Sequence, residues 1–139
     1  MSSLLSETLG IKENIFSNKR AYLELVEHGI PGAVVRRTVN QFPQQRQVIS
    51  RALGTTTNNL SRLYNRKVLT PTHTEEMLDV LSVYEMAFKL YGDWSLVEEL
   101  LTSTVIALNN QQPNELMNTF VGRTMVKEVI NKMLHGEFS

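Results

Sequence analysis

Apolar residues recur along most of the chain at steps of three and four, the spacing that lays a stripe along one side of a helix. No stretch shows the strict alternation of a half-buried strand. Residues 1–18 are Ser-rich and weakly patterned, which predicts an arm or a short helix. From Asn18 onward, Ala21, Tyr22, Leu25 and Val26 predict a helix that Gly29 ends. Pro31 suits the first turn of a second helix carrying Ala33, Val34, Val35 and Val39. Pro43 opens a third, Gln44 to Leu53, with Val48, Ile49, Ala52 and Leu53 on one side. Gly54 breaks it, and Thr55, Thr56 and Thr57 supply hydroxyls to cap a short fourth helix. That helix runs to about Asn65 with Leu60 and Leu63 inward.

Farther on, Thr72 and Glu75 have the spacing of a capping box. The helix after them is expected to reach Tyr91, with Met77, Leu81, Tyr84, Phe88 and Tyr91 as its stripe and Leu78 and Ala87 widening it. Gly92 stops that helix, and Asp93 can cap the next, which holds Trp94, Val97, Leu100 and Leu101. Residues 102–112 read as a polar connection, and Pro113 with Asn114 begins another short helix. The last helix is expected from Gly122 to Leu134, with Val126, Val129, Ile130 and Met133 inward and Gly136 closing it. The predicted class is all-α, a helix-turn-helix DNA-binding unit fused to a C-terminal helical domain. The expected divisions are residues 1–28 (arm and first helix), 29–70 (helix-turn-helix unit) and 71–139 (long helix and C-terminal domain).

Charge sharpens this picture. The 139 residues have zero formal net charge, yet residues 1–70 hold ten Lys/Arg against four Asp/Glu, and residues 71–139 hold four against ten. Between Glu27 and Glu75 there is no acid, while Arg36, Arg37, Arg46, Arg51, Arg62, Arg66 and Lys67 all fall in that gap. A polyanion meets no repulsion there, so the gap reads as a footprint for nucleic acid.

The segment Gln44–Lys67 has the layout of a helix-turn-helix. Gly54 permits the left-handed turn, and Leu53, Leu60 and Leu63 set the angle between the helices. The second helix would then lay its polar face in the major groove. Asn58, Asn59 and Arg62 are the candidates for base edges, because Asn pairs with adenine and Arg with guanine through two hydrogen bonds each. Arg46, Arg66 and Lys67, with the hydroxyls of Thr55 and Thr57, are the candidates for phosphates.

Catalytic chemistry is not expected. The chain has no cysteine, which removes thiolate nucleophiles, disulfides and Cys-based zinc sites. His28, His73 and His135 lack partners at metal-ligand spacing, and HExxH and Walker-type loops are absent. No cofactor and no metal is expected. With no secretory-type apolar run at the start and no apolar run of about 20 residues, a cytoplasmic protein without a membrane partner is expected.

From Tyr91 onward the chain departs from a generic bundle. Gly29-Ile30-Pro31, Leu60-Ser61-Arg62, Leu69-Thr70-Pro71, Tyr91-Gly92-Asp93, Ala107-Leu108, Pro113 with Leu116, Thr119, Gly122 and Gly136 follow one another in a characteristic order. Over about residues 29–138 the chain resembles the Xre/MbcA/ParS antitoxins. It differs at Leu100-Leu101, where the family often has Trp-Leu, at Thr104-Val105, often Pro-Asn, and at Asn109-Asn110, a Gly-rich pair in the family. The resemblance implies that the C-terminal part binds a RES-domain toxin that consumes NAD, while the helix-turn-helix represses the toxin–antitoxin operon at its operator DNA. Trp94, Leu100 and Leu116 are the expected toxin-binding residues on the helical body. The tail Gly136, Glu137, Phe138 and Ser139 is expected to reach the mouth of the toxin's active site. Its carboxylates suit a basic phosphate site and Phe138 offers an aromatic anchor.

A homodimer or higher assembly is expected, because one helix-turn-helix contacts half of a two-fold operator. Val80, Val83 and Leu90 lie off the main stripe of the long helix and are the candidates to face a second subunit. Two other classes fit the same residues: a plain homodimeric transcription factor without a toxin partner, and a helical adaptor that binds no DNA.

Overall fold

A computed structural model describes residues 13–136, and within them the architecture is all-helical. A 3-10 turn, Glu13–Phe16, precedes seven α-helices: α1 Lys19–His28, α2 Ala33–Gln41, α3 Arg46–Ala52, α4 Thr57–Tyr64, α5 Pro71–Tyr91, α6 Trp94–Thr102 and α7 Phe120–Leu134. The only β feature among the described residues is an isolated bridge between Val105 and Gln111. The chain divides into two units, Met1–Leu78 and Asp79–Ser139, with the division inside α5. This lies about two helical turns beyond the expected boundary at residues 70/71.

In the first unit α2 packs on α4, and α3 packs on α4 across a tight turn. Ile30, Val34, Val35, Ile49, Leu53 and Leu60 are buried. Two backbone hydrogen bonds and one to a side chain tie the ends of these helices. Gly32 N–H donates to the Arg66 carbonyl at 3.0 Å, Leu69 N–H donates to Ile30 at 2.8 Å, and the Thr74 hydroxyl accepts from Ile30 N–H at 3.3 Å. The last bond holds the first turns of α5 to this unit. Gly32 also marks a close approach, because a Cβ there would stand 1.9 Å from the Leu63 carbonyl oxygen.

Where helices begin differs from expectation in four places. Pro31 lies before the second helix, which starts at Ala33 with Gly32 as its N-cap. Pro43–Gln45 forms a 3-10 turn, so α3 starts at Arg46. The long helix starts at Pro71, not after a Thr72–Glu75 box: the Thr70 hydroxyl accepts from His73 N–H at 3.1 Å, and proline suits the first helical position. The last helix starts at Phe120, because the Thr119 hydroxyl accepts from Gly122 N–H at 3.0 Å.

In the second unit Val80, Leu81, Val83, Tyr84 and Ala87 of α5 are buried, as are Val97, Leu101, Met117, Val126 and Ile130. A polar cluster lies among them. Arg123, fully buried, donates from Nε to Asp79 at 2.6 Å and from Nη1 to the Met117 carbonyl at 2.8 Å. Lys127, one turn farther along α7, donates to the other Asp79 oxygen at 2.6 Å. Burial pushes the Tyr84 phenol well above its ordinary range, with the Glu98 carboxylate adding to the effect. The expected polar connection is ordered by a 3-10 turn, Ile106–Leu108. Asn109 and Asn110 follow it with φ of 57° and 61°, the left-handed region that Asn tolerates better than most residues. A second 3-10 turn, Pro113–Leu116, ends against α7, where a Cβ on Gly122 would stand 1.9 Å from the Leu116 carbonyl oxygen.

Candidate functional site

Helix α3, the turn and α4 form one continuous surface element in the first unit. The α3 terminus is closed by Gly54 N–H to Arg51 and Thr55 N–H to Ser50, at 3.0 and 2.9 Å. Gly54 takes φ +68°, a conformation that costs a side-chain-bearing residue about 1–2 kcal/mol. Thr56 then caps α4, its hydroxyl accepting from Asn59 N–H at 3.2 Å. Leu60 is fully buried and Leu63 half-buried, so they hold the inner side of α4. Asn58, Asn59, Ser61, Arg62 and Asn65 are left in water. The three Asn/Arg candidates for base edges are therefore all exposed. Asn58 and Arg62 are one turn apart, as are Asn59 and Arg62.

The phosphate candidates divide. Arg66 and Lys67 are exposed just beyond the end of α4, and the Arg66 backbone is pinned to Gly32. Thr55 and Thr57 are half-buried, while the capping hydroxyl of the turn belongs to Thr56. Arg46 is exposed but engaged: its Nη2 donates to the Thr57 carbonyl at 3.1 Å, joining the start of α3 to the start of α4. Its remaining guanidinium N–H groups can still serve an anion. No carboxylate among the described residues pairs with Arg36, Arg37, Arg46, Arg51, Arg62, Arg66 or Lys67. Among the described residues these seven cations are thus uncancelled by ion pairs.

The candidates for the protein partner fall differently. Trp94 is half-buried and stacks on Phe88, ring centroids 4.1 Å apart at 14°. Leu116 is half-buried, and Leu100 is buried in the second unit, so Leu100 offers a partner almost no surface. Gly136 is exposed at the end of α7, while Glu137, Phe138 and Ser139 lie outside the described residues. Val80 and Val83, expected to be free for a second subunit, are fully buried within the single chain. The helix is apolar on several sides because all of them are covered, so these two valines no longer argue for a dimer. Leu90 is half-buried. Among the described residues, the exposed large apolar side chains of the second unit are others: Leu96, Ile106, Phe120, Val121, Met125 and Leu134. Periodicity had no means of finding them, since an apolar residue in a helix pattern reads as core.

The histidines do not converge. The His28 ring contacts the Glu24 carbonyl at 2.7 Å, and His135 ends α7. Among the described residues no three His, Cys, Asp or Glu are grouped so as to hold a metal ion, and no helix is long and apolar enough to cross a membrane. No protein-family model and no curated protein matches the chain.

Proposed function

We propose that this protein is the antitoxin of a type II toxin–antitoxin system. Its helix-turn-helix binds operator DNA and represses the operon, and its acidic second unit binds and neutralises a RES-domain toxin that degrades NAD. The observation that carries the DNA half is the exposed Asn58/Asn59/Arg62 face of α4, set among cations that no carboxylate of the described residues pairs with. The toxin half rests on the family resemblance. One departure from that family is conservative in backbone terms, because Asn109 and Asn110 both adopt the left-handed conformation that a Gly-rich pair would favour. The protein acts as a homodimer, matching a two-fold operator; a monomer mass by light scattering at micromolar concentration would contradict this.

Two variants test the DNA half. Arg62→Ala should weaken operator binding by about 1–3 kcal/mol and relax sequence preference, since it removes a base contact. Lys67→Ala should weaken all sequences alike and reduce the salt slope by about one unit, since it removes one phosphate contact. If both bind the upstream region as wild type does, the interface is wrongly assigned. For the toxin half, the full chain is co-expressed with the product of the neighbouring gene, and cellular NAD is measured. Unprotected NAD and no complex would leave a plain transcriptional regulator.

A further inference from the structure

Apolar side chains in water concentrate at the start of α7. Phe120 is 63% exposed, Val121 67% and Met125 42%, and Ile106, in the 3-10 turn that packs on α7, is 85% exposed. Val121 and Met125 are one turn apart and share a face. Neither the helix nor the core calls for them. The inner side of α7 is already supplied by Gly122, Arg123, Val126, Val129 and Ile130. Its start is already capped by Thr119. Phe and Val are mediocre helix formers, and the first turn favours acidic residues, whose charge suits the free N–H groups there. A cluster that serves no local purpose and stays in water is the mark of a docking face.

Charge indicates what covers it. Glu115 is exposed on the turn that ends against α7, and Glu128 is exposed one turn beyond Met125. Residues 79–136 carry seven carboxylates (Asp79, Glu85, Asp93, Glu98, Glu99, Glu115, Glu128) against four cations (Lys89, Arg123, Lys127, Lys132), a net charge of −3. A second copy would bring like-charged rims together, whereas a basic partner would find complementary charge around an apolar centre. We infer that Phe120, Val121 and Met125 form the docking face for a partner protein presenting an apolar recess bordered by Lys or Arg. That partner is the toxin of the proposed function, on which this inference rests. The face is made of residues other than Trp94, Leu100 and Leu116, although Leu116 closes on α7 at Gly122 beside it.

The test measures the affinity of the full chain for the purified RES-domain toxin that the proposed function calls for, catalytically inactivated. Val121→Glu with Met125→Glu should weaken binding by at least about 30-fold, as expected when central interface anchors are lost. Glu128→Lys should slow association and reduce its salt dependence, as expected of a rim charge. Val68→Glu, an exposed apolar site in the first unit, should bind as wild type does. Trp94 fluorescence checks that the second unit remains folded; should the double variant fail that check, Phe120→Ser and Glu128→Lys decide the matter. Wild-type affinity in the α7 variants, with the wild-type protein binding tightly, overturns the docking face and leaves the proposed function standing. A wild-type chain that binds no toxin defeats the function and this inference with it. A wild-type dimer that the double variant dissociates, with toxin affinity unchanged, assigns the face to a second copy and overturns the inference.

Discussion

Asp79→Asn tests whether the buried polar cluster holds the second unit together. The substitution keeps the shape of the side chain and removes its charge. Arg123 is fully buried, so its guanidinium would lose the Asp79 charge without gaining water, while its bond to the Met117 carbonyl remains. Removing one member of a buried pair in this way costs about 3–5 kcal/mol. A domain's whole stability is about 5–15 kcal/mol, so the loss should be large on any unfolding curve. Lys127→Met is the contrasting change. The Lys127 side chain is 24% exposed, and its removal leaves Asp79 and Arg123 paired one to one. Its loss should be about 1 kcal/mol or less. Asp79→Leu with Arg123→Met should recover part of the Asp79→Asn loss, because an apolar pair of similar size needs no counter-charge. Trp94 is the sole tryptophan and stacks on Phe88 in the same unit, so urea unfolding followed by its fluorescence reads this unit directly. Equal losses for Asp79→Asn and Lys127→Met, or a loss under about 1 kcal/mol for Asp79→Asn, would refute the reasoning.

Gly32→Ala should destabilise the first unit by about 2–4 kcal/mol in thermal unfolding, because the new Cβ meets the Leu63 backbone oxygen and strains the Gly32–Arg66 hydrogen bond. Gly54→Ala should cost less, about 1–2 kcal/mol, since nothing lies within 4 Å and only the left-handed backbone is penalised; the reverse order would contradict the packing of α2 on α4. The Asp93 carboxyl is held below its ordinary 3.8 by the Ser95 hydroxyl first and the Ser95 N–H second. A lowered folded value means that its stabilisation of α6 is fully present above pH 3.8 and fades as pH falls through the lowered value. The stability gap between wild type and Asp93→Ala, followed by acid titration, should therefore be flat above pH 3.8 and close below it.

Much of the helical framework was legible along the chain because its signals act within one turn. Asp93 caps α6 and Gly54 ends α3 as expected, and the apolar stripe of α5 becomes core from Met77 to Ala87, while Phe88 and Tyr91 stay half-buried. The exposed face of α4 was legible too, since Leu60 fixes which side turns inward. Other features depended on groups far apart in sequence. The choice of Thr70 over Thr72 as the start of α5 goes with Thr74 receiving a hydrogen bond from Ile30, 44 residues away. Asp79 and Arg123 are also 44 residues apart, and in the sequence each reads as an ordinary charged surface residue. Val80 and Val83 looked available and are covered, whereas Phe120 and Val121 lie in water. Periodicity reports that a side chain is apolar and which neighbours share its face. Whether that face meets another helix or water is settled only when distant segments pack, because burial belongs to the assembled fold and not to the three or four residues around each position.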